Sequence, residues 1–396
     1  MTTDERSAPG IAAFVSPHGF GHAARSSAVL AAAHRAAGVH AHLFTTVPRW
    51  FFEESISSFT YHRAVVDVGF RQSSALVVDT RATVEALRDL VPFDASTIRR
   101  LADEVLEARC RVVLCDIAPL GVAVAEAAGL PSVLIENFSW PWLYEPLVRH
   151  APGLAKVGAE LDRWSARATV HVQTRPVCVR RPDCELVEPV SREVRLGRPA
   201  TRRNLGIPLD VPLVVVTMGG YGEDMPFLDR LRARADIHFL VTGAEKTRAA
   251  GNLHLFDNRT ALFMPDILHA SDAVVAKLGY GTVSEVWRAG LPFAWVTRPD
   301  FREMASLEAF AEEELSGFLL SAEHFRSGDW IDDLESLVDM PRRPHFAGGA
   351  KRIADILIEN AEGRSARTGG DGRTTNRGVR DHPPRHNPGG SATPIT

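Results

Sequence analysis

A histidine with the properties of a general base follows the first apolar stretch of the chain. The segment IAAFV at 11–15 has the composition of a buried strand, and the loop SPHGFGHAARS follows it. Ligands of open α/β sheets bind at the carboxyl ends of the strands, and His22 follows such an end. Because an imidazole can exchange a proton near neutral pH, His22 is a candidate base. The alternative is a tight turn whose histidine only caps the next helix.

A second glycine-containing turn, KLGYGTVSE at 277–285, follows another apolar stretch and precedes a helical pattern. Gly279 and Gly281 would allow a diphosphate to approach the backbone closely. Thr282 adds a hydroxyl near the start of the helix, where anions are favoured. Glu285 could accept two ribose hydroxyls. The alternative is a capped helix with a surface glutamate.

Two successive units of alternating strands and helices must position these motifs. Strand-like segments of the first unit lie at 11–15, 40–46, 111–116 and 131–137, with helical patterns at 26–37 and 81–108. Those of the second lie at 211–220, 236–243, 252–256, 272–277 and 291–297, after a linker with little periodicity at 174–210. The alternation predicts the α/β class with parallel sheets. Gly219 and Gly220, after the first strand of the second unit, would face the first unit across a cleft or form a plain turn.

The composition excludes several classes of protein. Hydrophobic residues make up 45% of the chain and charged residues 24%, which allows a sizeable core. The net charge of −4 argues against a nucleic-acid partner. No apolar stretch reaches the roughly 20 residues of a membrane span, and the first residues lack a signal-peptide pattern, so we expect a cytoplasmic protein. The four cysteines form no CxxC pair, so we expect no metal site.

The order of the motifs resembles the GT-B superfamily of glycosyltransferases. FMPDILHASDAVVAKLGYGTVSE at 263–285 and GTVSEVWRAGLP at 281–292 resemble the nucleotide-binding segment of the peptidoglycan N-acetylglucosaminyltransferase group. HGFGHAARS, DVGFRQSSALVVD and ENFSW resemble the glycosyltransferase-like N-terminal part of L-arabinokinases. The resemblance covers about residues 10–360 and implies two Rossmann-like domains facing across a cleft. No further phosphate loop follows, so we expect no sugar kinase.

This resemblance predicts four regions along the chain. They are an acceptor-binding domain at 9–190, a nucleotide-sugar domain at 191–345, a helix at 346–361 that packs at the domain junction, and a tail at 362–396. The tail is rich in Gly, Pro and Arg and almost free of large apolar residues, which predicts disorder.

The implied activity is transfer of a sugar from a nucleotide diphosphate sugar, expected to be a UDP-sugar, to an acceptor hydroxyl. An inverting reaction without a metal or other cofactor is expected. His22 would be the base, and Asp116, which ends the strand at 111–116, would orient it and stabilise its charged form. The alternative for Asp116 is a helix cap. An epimerase or hydrolase on the same fold, or a non-catalytic sugar-nucleotide-binding protein, remains an alternative function.

The remaining site residues are also carried over from the resemblance. The donor side comprises Gly279 with the backbone donors Gly281, Thr282 and Val283, then Glu285 on the ribose, Phe263 and Met264 at the base, and Arg298 and Glu303 at the sugar. The acceptor side comprises His18, Gly19, Phe20, Gly21, Asp67, Phe138 and Trp140. The alternative for Phe263, Met264, Phe138 and Trp140 is ordinary packing. Arg192, in the linker, is a candidate phosphate contact or a surface residue.

Overall fold

The computed structural model describes residues 10–74, 77–219, 225–257, 262–298, 301–343, 345 and 347–363. Gly220 and the predicted tail from residue 364 onward lie outside the described residues.

The first described sheet is built from parallel strands of the N-terminal half. The strands of this half are β1 (Gly10–Val15), β2 (His40–Thr45), β3 (Phe59–Arg63), β4 (Gln72–Ser74), β5 (Val77–Val78), β6 (Cys110–Asp116), β7 (Ser132–Glu136), β8 (Val170–Thr174) and β9 (Glu185–Val187). Seven of these form the sheet in the order β3-β2-β1-β6-β7-β8-β9, and β4 and β5 form a separate small pair. We call this sheet and the helices packed on it the N-terminal lobe.

A second sheet of the same design defines the C-terminal lobe. Its strands are β10 (Leu213–Thr217), β11 (His238–Ala244), β12 (Arg248–Ala250), β13 (Leu253–Asp257), β14 (Ala273–Lys277), β15 (Phe293–Val296) and β16 (Gly317–Leu320). The order is β12-β13-β11-β10-β14-β15-β16, and among the described pairings of this sheet only the edge pair β12–β13 is antiparallel. Chain order reverses between β1 and β6 in one sheet and between β10 and β14 in the other. Such reversal points are where open α/β sheets bind ligands.

Helices cover both sheets. They are α1 (Phe20–Ala37), α2 (Arg49–Glu53), α3 (Thr80–Leu90), α4 (Ala95–Glu107), α5 (Pro119–Ala128), α6 (Trp140–Tyr144), α7 (Gly153–Ser165), α8 (Arg198–Leu205), α9 (Leu228–Ala233), α10 (Met264–Ala270), α11 (Tyr280–Ala289), α12 (Met304–Glu314), α13 (Ala322–Ser327), α14 (Leu334–Val338) and α15 (Ala350–Ala361). Two short 3₁₀ turns span Glu145–Leu147 and Asp329–Asp333. A search of the described residues finds no helix with the length and apolar character that crossing a bilayer requires. The predicted α/β class is confirmed.

Two helices differ from the sequence prediction. Helix α1 begins at Phe20, six residues before the predicted start at 26, because Gly19, with φ of +76°, makes the turn by itself. The predicted helical stretch at 81–108 is two helices. Proline at 92 interrupts it, and Asp94 starts α4 by accepting a hydrogen bond from the backbone N–H of Thr97 at 2.7 Å.

Helix α15 returns to the N-terminal lobe. Ile353 and Leu357 are fully buried in the same apolar cluster as Val29 and Ala33 of α1. The last described helix therefore adds to the packing of α1, the helix that carries His22.

Candidate active site

A cavity of about 650 Å³ lies where the carboxyl ends of both sheets meet. Most of the predicted site residues line it. From the N-terminal lobe they are His18, Gly19, Phe20, Gly21, His22 and Phe138, and from the C-terminal lobe they are Gly219, Met264, Gly279, Gly281, Thr282, Glu285, Arg298 and Glu303. Residues that are far apart in the sequence are therefore brought to one cleft by the two topological reversal points.

His22 and Asp116 meet at the reversal point of the first sheet. His22 lies in the first turn of α1, and Asp116 ends β6. The ring Nδ1 of His22 lies 2.9 Å from Oδ1 of Asp116, and the two side chains are 9% and 0% exposed. Because an ionised carboxylate can only accept, Nδ1 donates this hydrogen bond, and Nε2 remains as an acceptor. This arrangement suits proton abstraction by His22.

Arg25, one turn after His22, holds the same carboxylate. Its Nε donates to Asp116 Oδ2 at 3.0 Å and its Nη2 donates to Oδ1 at 2.5 Å, while Ser26 Oγ donates to Oδ2 at 2.8 Å. The Nη1 of Arg25 donates to Asn137 Oδ1 and to Thr174 Oγ1. Burial alone would raise the pKa of Asp116, but the Arg25 guanidinium and the hydrogen bonds of His22 and Arg25 lower that pKa to about 2. Asp116 is therefore ionised at neutral pH.

Besides Asp116 and Arg25, two further rings lie near the ring of His22. The ring of Phe138 meets it edge-on at 6.2 Å between centroids. His18 lies 6.5 Å away, and its Nδ1 accepts a hydrogen bond from the backbone N–H of Phe70. Burial, followed by the nearby charges of His22, Arg298 and Lys277, lowers the pKa of His18 to about 3. His18 is therefore a neutral wall of the cavity at neutral pH.

Two predicted acceptor contacts lie behind the cavity wall. Asp67 is 4% exposed and accepts a hydrogen bond from Ser16 Oγ at 2.5 Å, and burial raises its pKa. Trp140 is 1% exposed, and its indole N–H donates to the backbone carbonyl of Ile117 at 3.1 Å. Ile117 directly follows Asp116 and has a φ of +48°, which is strained for a β-branched residue. Trp140 thus supports the backbone beside the His22–Asp116 pair, which we call the dyad, and does not offer a surface to an acceptor.

An aromatic run that the sequence analysis missed forms part of the mouth. Phe20 stacks on Phe51 at 4.8 Å and lies 5.8 Å from Trp50. All three line the cavity, and Trp50 is 36% exposed. The run WFF at 50–52, a few residues after the second strand, could have identified this cluster from the sequence.

The two glycine motifs meet in backbone contact. A Cβ placed on Gly281 would lie 3.1 Å from the Cα of Gly21. The N-termini of α1 and α11 therefore face the same space, which suits an anion. Val283 does not fit its predicted role as a backbone donor, because its N–H already donates to the carbonyl of Gly279 at 2.9 Å. The N–H groups before this first helical bond, at Gly279, Tyr280, Gly281 and Thr282, are the ones available by position.

The predicted ribose carboxylate is paired with the linker arginine. Glu285 Oε1 accepts from Arg192 Nε at 3.0 Å, and both side chains are below 10% exposed. The Arg192 guanidinium is held between the rings of Phe51 and Phe263 at 4.8 and 4.9 Å, and it also meets Glu54 at 3.4 Å. Burial raises the pKa of Glu54, against the opposing effect of Arg192. Arg192 is therefore a buried residue of the cavity wall and not a surface residue.

The two residues predicted to bind the nucleobase, Phe263 and Met264, lie in different surroundings. Met264 lines the cavity together with Leu262 and Leu268. Phe263 is 6% exposed, and Arg195 stacks on its ring at 3.5 Å. The Phe263 ring is therefore covered by the linker, and Met264 is the member of the pair that reaches the open space.

A lysine that the sequence analysis did not single out lies at the end of β14. Lys277 is the one of the four lysines of the chain that lines the cavity. The position of Lys277 directly before the Gly279 turn could have identified it as a site residue from the sequence. Arg298 and Glu303 line the same wall and pair at 3.2 Å. Burial raises the pKa of Glu303 despite the cations Arg298 and Lys277, and its Oε2 has no hydrogen-bond partner among the described residues. Glu303 can therefore accept a ligand hydroxyl.

The described residues contain no group of three or more His, Cys, Asp or Glu side chains arranged to hold a metal ion.

Comparison with known proteins finds relatives of two kinds. The chain is 29% identical over 365 residues to L-arabinokinase of Arabidopsis thaliana, covering 89% of this chain and 34% of that protein. It therefore spans about a third of the length of this curated relative. It is 27% identical over 255 residues to the UDP-N-acetylglucosamine–N-acetylmuramyl-(pentapeptide) pyrophosphoryl-undecaprenol N-acetylglucosamine transferase of Clavibacter michiganensis, covering 56% of this chain and 67% of the relative. No protein-family profile matches the chain.

Solved glycosyltransferases share the fold. Phytolacca americana UGT2, solved with UDP-2-fluoro-glucose and pterostilbene, has a TM-score of 0.59 at 12% identity, covering 90% of this chain and 94% of that one. The glycosyltransferase VinC, solved with dTDP, has a TM-score of 0.55 at 16% identity, covering 89% and 95%. SnogD from Streptomyces nogalater has a TM-score of 0.54 at 17% identity, covering 89% and 95%. The chain therefore has the fold of these GT-B glycosyltransferases, and its sequence is similar to the two curated relatives.

Proposed function

We propose that this protein transfers a sugar from a nucleotide diphosphate sugar, with UDP as the nucleotide, to the hydroxyl of a small-molecule acceptor with inversion at the anomeric carbon. The observation that carries the proposal is the buried pair of His22 and Asp116, whose His22 lines the same cavity as Glu285 and the Gly279–Thr282 turn. A base and a diphosphate site at one cavity are the two parts that such a transfer needs.

The acceptor is deprotonated by His22. Nε2 of His22 takes the hydroxyl proton while Nδ1 stays bonded to Asp116, whose ionised carboxylate stabilises the imidazolium. The acceptor oxygen then forms a bond to the anomeric carbon, and the bond from that carbon to the diphosphate oxygen breaks. Phe20 and Trp50 at the mouth favour an acceptor with an apolar ring.

The departing nucleoside diphosphate carries the negative charge that develops. The available N–H groups of α11, the N-terminus of α1 and the Lys277 ammonium lie around the same space and stabilise this charge. Met264 contacts the base, Glu285 accepts ribose hydroxyls, and Glu303 with Arg298 contacts the sugar. The chain's own groups thus supply general-base and electrostatic catalysis, and the proposal assigns no resident metal or other cofactor.

Nucleotide release tests the reaction class without knowledge of the acceptor. The full chain is incubated with UDP-, dTDP- and GDP-sugars, with and without a panel of phenolic and sugar acceptors, and free nucleoside diphosphate is measured. We expect acceptor-dependent release with a UDP-sugar. His22→Ala should lower kcat by on the order of 10²–10⁴, the range typical of a lost general base. The affinity for UDP should change little, because the donor binds the other lobe.

The alternatives give different results. Nucleotide release that is equal with and without acceptor indicates a hydrolase, and interconversion of two nucleotide sugars indicates an epimerase. UDP binding without any release, unchanged in His22→Ala, indicates a non-catalytic binding protein. Each of these outcomes contradicts the proposed transfer.

A further inference from the structure

Asp116 accepts more hydrogen bonds than the one from His22 that a His–Asp pair requires. Its carboxylate is fully buried and accepts from His22, Arg25 and Ser26. Arg25 engages both oxygens, one through Nε and the other through Nη2. Such a two-point contact fixes both the charge and the orientation of a carboxylate, and the single ammonium of a lysine cannot reproduce it.

We propose that Arg25 is a positioning residue that keeps Asp116 ionised and thereby keeps His22 in the tautomer whose Nε2 can accept a proton. The inference rests on the proposed function in one respect, namely that His22 is the base.

The need for Arg25 follows from the burial of the carboxylate. A buried carboxylate without a cation favours its protonated form. A protonated Asp116 would donate to Nδ1 of His22, and the ring would then carry its own proton on Nε2. A ring in that tautomer cannot accept the hydroxyl proton of an acceptor. Loss of Arg25 would therefore disable the dyad although both of its members remain in place.

The rest of the Arg25 side chain is anchored away from the dyad. Nη1 donates to Asn137 and Thr174, which follow or end β7 and β8, and the residue is 6% exposed. Nη2 also lies 3.3 Å from Nδ1 of His22. The strand ends thus hold the guanidinium at a fixed distance from both members of the pair.

The other titratable groups around the dyad do not replace Arg25. His18 and Asp67 face His22, and Tyr280 faces Arg25. Burial lowers the pKa of His18 to about 3, so this ring is neutral at pH 7. Burial raises the pKa of Asp67 and raises that of Tyr280 well above its usual value. Among these described neighbours, Arg25 is the cation that acts on Asp116.

The experiment measures the His22 ring directly. Full-length chain is labelled with ¹⁵N-histidine, the ring signals are followed by NMR from pH 5 to 9, and His22 is assigned by their loss in His22→Gln. In the wild type we expect Nδ1 protonated and Nε2 unprotonated at pH 7. In Arg25→Gln we expect the Nε2–H or doubly protonated ring at pH 7, with proton uptake by the pair moved up by about one pH unit or more.

Two further variants keep the test decisive. Arg25→Lys keeps the charge but not the two-point contact, so its proton uptake should move in the same direction by less than in Arg25→Gln. Arg35→Gln removes an arginine on the same helix that is 51% exposed and pairs with Glu193, and it should leave the His22 signals unchanged. If Arg25→Gln does not fold, the proton uptake of the pair in Arg25→Lys alone tests the inference.

A purely structural Arg25 would lower the melting temperature of both variants and leave the tautomer and titration of His22 as in the wild type. That result overturns the inference. The NMR signals of the His22 ring can be measured without turnover. A protein that transfers no sugar would therefore contradict the proposed function, but the effect of Arg25 on the His22 tautomer would still be measurable.

Discussion

The backbone of Gly21 in the N-terminal lobe touches the backbone of Gly281 in the C-terminal lobe. A Cβ on Gly281 would lie 3.1 Å from Gly21 Cα, whereas a Cβ on Gly21 would lie 3.4 Å from Gly281 N. The ring of Phe138 meets Tyr280 at 5.6 Å beside this contact. The loop that carries the candidate base and the turn that carries the candidate diphosphate site are therefore positioned by each other.

Gly281→Ala should impair the reaction more than Gly21→Ala. The added methyl on Gly281 meets backbone atoms that cannot rotate away, so the lobes or the turn must shift by a few tenths of an ångström. Displacements at a reacting centre reduce rates steeply, and we expect a loss of turnover on the order of tenfold. Nucleotide release and thermal unfolding of both variants check this. Equal rates for the two variants would mean that the contact does not set the geometry.

Glu285→Ala should weaken UDP binding by about 1–3 kcal/mol, the cost of losing charge-assisted hydrogen bonds to a ribose. The same change leaves Arg192 with Glu54 as its remaining carboxylate partner in the described cluster. Calorimetric titration with UDP measures the affinity. Glu53→Ala is the matched control, because Glu53 is exposed and pairs with Arg49 on its own helix. An unchanged affinity in Glu285→Ala would remove the ribose assignment.

Trp140→Phe should slow turnover as well as reduce stability. The substitution removes the indole donor to the carbonyl of Ile117, and an unsatisfied buried carbonyl costs about 1–3 kcal/mol. The strained backbone beside Asp116 would then relax. Trp164→Phe provides the comparison, since that indole bonds to Glu160 on its own helix. Its turnover should stay at the wild-type level; a similar loss in both variants would assign Trp140 to general packing.

The buried histidines should lower the free energy of unfolding as the pH falls from about 6.5 towards 4. Burial lowers the pKa of His42 from 6.5 to about 4, with a further contribution from His40 and His62. Burial likewise lowers the pKa values of His62, His238 and His254. These histidines therefore bind more protons in the unfolded chain than in the folded chain in this window, whereas the raised pKa values of Asp67, Glu54 and Glu303 act in the opposite direction. Urea unfolding at a series of pH values measures the slope, which should be smaller in His42→Gln.

A second decrease in the free energy of unfolding should follow at lower pH. The pKa of Asp116 falls from 3.8 to about 2 in the folded state, so its stabilising contribution is present above pH 3.8 and is lost towards pH 2. In Asp116→Asn this acid loss of stability should be smaller than in the wild type. An equal slope in the wild type and His42→Gln between pH 6.5 and 4 would contradict the histidine assignment.

The meeting of His22 with Asp116 could be predicted from the sequence alone. Both follow apolar segments with the pattern of parallel strands, and the carboxyl ends of such strands share one edge of the sheet. The same reasoning brought the Gly279 turn and Glu285 to the second sheet edge. Alternation of apolar strands and helices likewise sufficed for the fold class, because burial on both faces of a parallel sheet leaves that pattern in the composition.

Tertiary structure alone decided which side chains reach the cavity. The sequence carried no prediction for Arg25 and left Arg192 as a phosphate contact or a surface residue. Both are buried, and carboxylates from distant segments, Asp116 and Glu285, pair with them. Trp140 looks like a ligand-binding aromatic, but packing turns its indole towards the carbonyl of Ile117. Local patterns determine the strand ends, whereas the pairing of charges depends on contacts between segments that are distant in the chain, 91 residues apart for Arg25 and Asp116 and 93 for Arg192 and Glu285, which no local pattern encodes.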